Sequence, residues 1–264
     1  MTLVASFFGG ADPVAGLTAR MAPMLGTYFG GVAPDPTVLS AKLAAGVAEL
    51  QRKLRFPIVP TYVFPGPSFG AVGAMPASEQ QFIPDASMPF MVESGYDLPP
   101  GFLGVGQWGN ISLYHRPVLQ VIRIDFTYPG MPGASFTCPD SWMQLDRKGG
   151  RVHFFPVTGY SEAPISMVAL QAVYAAQTIP LMVKARYVAG VDPSLPENAD
   201  IVEAAYRMAM IQLLRDTFLP QSGSVSVDGL SQSVSADVDK LSATLDATLD
   251  TIRERVIGLT YGVL

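Results

Sequence analysis

Apolar positions along the chain follow two kinds of order. From Thr37 to Leu54, "TVLSAKLAAGVAELQRKL", residues Val38, Leu39, Leu43, Val47, Leu50 and Leu54 recur at steps of three and four, the spacing that places them on one face of an α-helix. Asp35 or Thr37 is positioned to cap its start, and Arg52, Lys53 and Arg55 gather at its end, where cations offset the helix dipole. Helical order returns after "GVDPSLPENAD". Asp200 stands as the cap of "IVEAAYRMAMIQLLRDTFLP", whose Ile201, Ala204, Ala205, Met208, Ile211, Leu214 and Phe218 share a face and whose Pro220 ends it. The last helical run is the most regular: Val234, Val238, Leu241, Leu245, Leu249, Ile252 and Val256 repeat in steps of four and three. Asp237, Asp239, Asp246 and Asp250 occupy its other faces, and Arg253 and Arg255 come late.

Between these helical ends the period drops to two. In "ISLYHRPVLQVIRIDFTYPG" Arg123 and Asp125 alternate with Ile122, Ile124 and Phe126, the pattern of a strand. Asp146–Gly150 supplies a hairpin turn between "WMQL" and "RVHFFPV", and "IPLMVKARYVAG" reads as a further strand. Residues 165–176 read either as a small-residue helix or as two strands. Residues 56–109 are rich in Pro, which lacks the ladder N–H, so they read as an extended segment with short edge strands. Residues 1–36 suggest short helical pieces separated by turns. "SGSVSVDGLSQSVSADVDKL" alternates Ser with Val225 and Val227, then breaks at a turn, Asp228-Gly229, before Ser231 or Ser233 caps the final helix. The fold class expected is α+β. Residues 1–55 form an N-terminal helical segment, residues 56–190 a Pro/Gly-rich and β-rich insert, and residues 191–264 a C-terminal helical segment with the Ser/Val ribbon and a long amphipathic helix.

Composition narrows the function. Hydrophobic residues make up 49% and charged residues only 15% of the chain. So few charges suit a surface that is partly buried in an assembly. A net charge of −5 disfavours a dedicated nucleic-acid binder, and "QRKLR" (Gln51–Arg55), the densest basic run, reads as a helix end. A lone cysteine, Cys138, excludes an internal disulfide framework and a Cys-based zinc cage. No stretch reaches the roughly 18 uninterrupted apolar residues of a membrane span. Ile165–Val183 comes nearest and is broken by Gln171, Gln177 and Pro180. The N-terminus lacks the basic region of a signal peptide, so a soluble, intracellular protein is expected.

Candidate chemistry is sparse. His115 and His153 are the only histidines, and a metal site would need Asp125 or Asp146 beside them. Isolated strand residues with a local hydrogen bond are the plainer reading. "GFLGVGQWG" has glycines but no strand leading into a helix, and no phosphate loop or nucleophile elbow appears. Asp192, Asp200 and Asp228 read as capping or turn carboxylates. Cys138 in "FTCPDSW" has no histidine close in sequence. No catalytic residue, cofactor or metal is expected, and the chain reads as a non-enzyme. Trp142 and Trp108 read as anchors of the β core.

"ISLYHRPVLQVIRIDFTYPG", followed by "SWMQLDRKGGRVHFFPV", resembles the neck proteins of tailed bacteriophages, the head-to-tail connector or adaptor components. "SVSVDGLSQSVS" is similar to a Ser-rich segment before the terminal helix in some of them. The likeness covers roughly residues 110–156 and 222–256, under half of the chain. It implies a virion structural protein, made in the bacterial host cytoplasm, without catalysis, cofactor or membrane. Its implied partners are a homo-oligomeric ring of about twelve copies, the portal protein, downstream neck or tail proteins, and double-stranded DNA in transient, non-specific passage. An acidic balance would suit a conduit whose wall repels phosphates. The contact surfaces expected are the ribbon, with Val225, Val227, Asp228 and Gly229, and the final helix, with Val234, Val238, Leu241, Leu245, Leu249 and Ile252. Two plainer alternatives stay open: the helix stripe packs on its own core, and the ribbon pairs inside the subunit. A capsid-associated, tail-tube or baseplate protein shares the same composition logic. A soluble enzyme or ligand-binding protein would be a stable monomer with a polar pocket.

Overall fold

The computed structural model describes residues 7–8, 12–66, 74–99, 102, 109–127, 135–155, 178–218 and 230–257. The chain is α+β and divides into two compact units, Met1–Val59 with Asp192–Leu264, and Pro60–Val191.

In the helical unit, α1 (Pro13–Tyr28) and α2 (Pro36–Leu54) start alike. Asp12 and Asp35 each stand before a first-turn Pro and accept a backbone N–H, from Val14 at 3.0 Å and Thr37 at 2.7 Å. Pro has no N–H to leave unpaired there, and the carboxylate satisfies the next orphan donor. Residues 13–28 form one helix with Pro23 inside it, not the short pieces the Gly and Pro content suggests. Arg55, in the left-handed region at φ 61°, closes α2 by donating its N–H to the Gln51 carbonyl at 2.8 Å. Leu39, Leu43, Val47, Leu50 and Leu54 are buried as the period predicts, whereas Val38 is exposed.

Two further helices among the described residues are α4 (Ala199–Phe218) and α5 (Leu230–Ile257). Asp200 is not the cap of α4; the helix starts one residue earlier, continuing a 3-10 turn at Pro196–Asn198, and Asp200 instead accepts Arg255 at 2.6 Å. Ser231 and Ser233 lie inside α5 rather than capping it. α2 packs on α4 so closely that a Cβ on Gly46 would sit 2.9 Å from the Ala209 nitrogen, so only glycine fits that crossing. Exposed ion pairs, Arg20–Glu203 at 2.8 Å and Lys53–Asp246 at 2.6 Å, tie helix to helix at the surface.

Among its described residues the β unit holds two sheets. Its strands are β1 (Thr61–Pro65), β2 (Phe90–Glu93), β3 (Tyr96–Leu98), β4 (Asn110–Ser112), β5 (Val118–Thr127), β6 (Ser135–Thr137), β7 (Met143–Asp146), β8 (Arg151–Phe154) and β9 (Ile179–Ala189). The large sheet runs β2-β1-β9-β5-β6, with β3 also paired to β9, and the small one runs β4-β8-β7. A one-turn helix, α3 (Ala77–Gln80), sits between β1 and β2. β1 is not the edge strand its Pro-rich setting predicts: it pairs in parallel with β2 and antiparallel with β9. Its prolines only bracket it, Pro60 before and Pro65 at its end, so the residues between keep their N–H groups for the ladder. One face of the large sheet (Val63, Ile124, Phe126, Val183, Ala185, Tyr187) packs with Ile111, Val152 and Phe154 of the small sheet around Trp142, which is 2% exposed. Trp108 and residues 165–176 lie outside the described residues.

Candidate functional site

β9 gathers the buried polar side chains of the β unit because its alternation sends Arg186 to one face and Tyr187 to the other. On the first face the Arg186 guanidinium forks onto Glu79, Nε to Oε2 and Nη2 to Oε1, both at 2.7 Å, and its Nη1 donates to Asp125 Oδ2 at 2.7 Å. Arg123 Nε donates to Asp125 Oδ1 at 2.8 Å. Thr137 Oγ1 donates to the same oxygen at 2.7 Å and accepts from Arg123 Nη2 at 2.8 Å. Tyr62 adds an O–H donor to Glu79 at 3.1 Å, and burial with the Glu79 charge pushes its pKa above the usual phenol range. Both guanidiniums lie over the Phe82 ring, at 4.9 and 5.2 Å. Two cations meet two anions, and the bidentate geometry repays their desolvation. The cluster fastens the segment around α3 to the sheet.

The second face is not balanced. Tyr187 donates its hydroxyl proton to Glu93 Oε2 at 2.7 Å and accepts the His115 N–H at 3.2 Å. The Tyr96 hydroxyl lies 3.4 Å from that of Tyr187 and accepts the Tyr114 N–H at 3.1 Å. Tyr114 stacks on Tyr96 with ring centroids 4.5 Å apart. Glu93 is 8% exposed, and its Oε1 has no partner among the described residues. Burial pushes its carboxyl up to about 7, against the opposing pull of the Tyr187 and Tyr96 hydrogen bonds. Burial and the Glu93 charge in turn raise both tyrosines.

The expected contact residues separate. Val225, Val227, Asp228 and Gly229 lie outside the described residues. Val234 belongs to α5. Val238, Leu245, Leu249 and Ile252 are buried within the chain, where α5 packs on α4 and α2, whereas Leu241 is 42% exposed. Most of the stripe therefore serves the subunit's own core.

Among the described residues no group of three or more His, Cys, Asp or Glu is arranged to hold a metal ion. His115 sits half-buried at the bend before the cis Arg116-Pro117 bond, its pKa lowered by burial, and His153 stands opposite Asn110 in the small sheet. Cys138 is buried, and desolvation with the nearby Asp140 charge pushes its thiol up to about 12, far from a nucleophilic thiolate. No helix among the described residues is long and apolar enough to cross a membrane.

Glu79, Glu93 and Arg186 escape a reading of the sequence. The Arg123/Asp125 alternation marks a polar face of β5, but nothing in the Pro-rich segment signals that its two glutamates meet β9.

No protein-family model matches the chain, and no curated protein matches it. Among solved structures, it is similar to a chain in the neck of an empty gene transfer agent particle computed with C6 symmetry, at 14% identity and a TM-score of 0.39, covering 88% of this chain and 90% of that one. A chain in the virion of a native gene transfer agent particle is similar at 14% identity and a TM-score of 0.37, with the same coverage.

Proposed function

We propose that the chain is a virion structural protein of the neck of a tailed, phage-like particle, a head-to-tail connector that forms a ring on the portal and lines part of the DNA conduit. The observation that carries this reading is the ordered pair of blocks "ISLYHRPVLQVIRIDFTYPG" and "SWMQLDRKGGRVHFFPV". Their described residues belong to one packed unit: β4, Leu113, β5, Trp142 and the β7–β8 hairpin contribute to a single hydrophobic core. The sparse charge of the chain, 15%, fits extensive burial between subunits. Leu241 and the ribbon residues Val225, Val227, Asp228 and Gly229 are the contact residues within this proposal. Its partners are further copies of the chain, the portal and downstream neck or tail proteins; no catalysis and no cofactor belong to it.

Mass measurement of the purified protein, alone and mixed with portal, is the test. Rings, or assembly that appears only with portal, are expected, and a monomer that ignores the portal overturns the reading. Deletion of residues 225–229 tests the ribbon: a folded subunit that no longer assembles supports the contact role, and a subunit that fails to fold removes it.

A further inference from the structure

We propose that the tip of the β7–β8 hairpin is a contact for the phosphate backbone of double-stranded DNA. Arg147, Lys148 and Arg151 are exposed on and beside its turn, and the fold adds a fourth cation from a distant stretch of sequence. Gly150, at φ 63°, lies against Arg116 so closely that a Cβ there would come within 3.0 Å of the Arg116 Cβ. The turn is held from both flanks: Val118 donates its N–H to the Arg147 carbonyl at 3.0 Å, and Leu113 donates to the Gly150 carbonyl at 2.8 Å. The Asp146 carboxylate folds back to accept the Gly149 N–H at 3.1 Å.

None of these four cations makes an ion pair with a described residue, as is also true of Arg55, Lys184, Arg215, Lys240 and Arg253, but these four are brought to one turn by the hairpin and by the close approach of Gly150 to Arg116. The tip carries four cations against the single carboxylate of Asp146, which stands opposite Arg151 in the β7–β8 ladder, and such a net positive patch in a protein of net charge −5 favours an anionic partner. The chemistry of the tip selects that partner. From Asp146 to Arg151 the turn reads D-R-K-G-G-R and has no apolar side chain. A protein docking face needs a buried apolar or aromatic centre. Phosphate-backbone binding needs only positive charge, and the planar forks of three arginines suit phosphate oxygens. The inference rests on the neck reading for the presence of duplex DNA beside the protein, and goes beyond a wall that merely repels it.

The experiment measures binding of the full chain to a fluorescent duplex of mixed sequence while salt is varied. If all four cations engage, the log–log salt slope is about −3.6, so affinity falls roughly a hundredfold between about 50 and 200 mM salt. Replacing Arg147, Lys148 and Arg151 together by Ser should bring the slope close to −1 and abolish most binding at low salt, with the circular dichroism spectrum unchanged because all three are exposed. No binding at low salt, or binding that the triple substitution leaves intact, overturns the inference. So does a triple variant that keeps DNA affinity but loses assembly with portal, which assigns the tip to an acidic protein surface. Assembly that survives while DNA binding is missing from the native protein removes this inference and leaves the neck reading standing.

Discussion

Arg186 and Tyr187 are neighbours on β9, yet the faces they serve treat buried charge in opposite ways. Around Arg186 each carboxylate has a guanidinium, and the Tyr62 and Thr137 hydroxyls occupy remaining acceptor sites. Around Tyr187 a single carboxylate is buried with only hydroxyl donors among the described residues, and one of its oxygens has no partner among them. The difference lies in what each buried carboxylate meets: guanidiniums on one face, hydroxyls alone on the other. The first face is a clamp of paired charges. The second sets a pH limit on stability.

The largest effect should come from breaking the clamp. Arg186→Ala leaves Glu79 and Asp125 buried side by side with only Arg123 to serve one of them, and unfolding by denaturant at neutral pH should show a loss of about 3–5 kcal/mol. A loss below about 1 kcal/mol would mean that the charges contribute little and that the packing of Phe82 holds this face. Next comes Glu93. Its folded pKa, about 7, lies above its ordinary value of 4.5, so the folded state holds a proton that the unfolded chain releases. This contribution is therefore fully present below pH 4.5 and is lost as pH rises to about 7, amounting to on the order of 3 kcal/mol. Glu93→Gln, which mimics the protonated form, should flatten stability across that window. An unchanged pH profile in the variant would show that Glu93 is not the titrating group.

The two faces were unequally legible in the sequence, for a physical reason. Helix faces and the β5 alternation are local patterns, so the burial of Leu43, Leu50, Leu249 and Ile252 and the polar pairing of Arg123 with Asp125 follow from spacing. The Arg186–Glu79 fork spans 107 residues and the Tyr187–Glu93 bond 94, and no local spacing encodes such a pairing. The prolines also misdirect. They mark β1 as an edge although they only bracket it, and once β1 is placed between β2 and β9, Glu93 at the end of β2 is carried in beside Tyr187. The four cations of the hairpin tip were half legible: "DRKGGR" is visible as a turn, but the arrival of Arg116 depends on the small sheet.

Tyr187→Phe sharpens the contrast at smaller scale. It removes the donor to Glu93 Oε2 and the acceptor for the His115 N–H, which should cost about 1–3 kcal/mol. Because that hydrogen bond favours the ionised carboxyl, its loss should also move the Glu93 transition to higher pH. A Glu93 transition that stays where it was in the variant would mean that this hydrogen bond does not tune the carboxyl.

The smallest effect belongs to Arg123, the outer cation of the clamp. Its side chain is 35% exposed, and Arg186 still serves Asp125 when it is gone, so Arg123→Ala alone should cost about 1 kcal/mol or less. Combined with Arg186→Ala it should cost more than the sum of the two, because the double variant strips Asp125 of its last cation. Thr137 would then be the donor left to Asp125 in this cluster. Strict additivity in that cycle would mean that the two guanidiniums act on separate carboxylates, and the balanced face would reduce to a single Arg186–Glu79 pair.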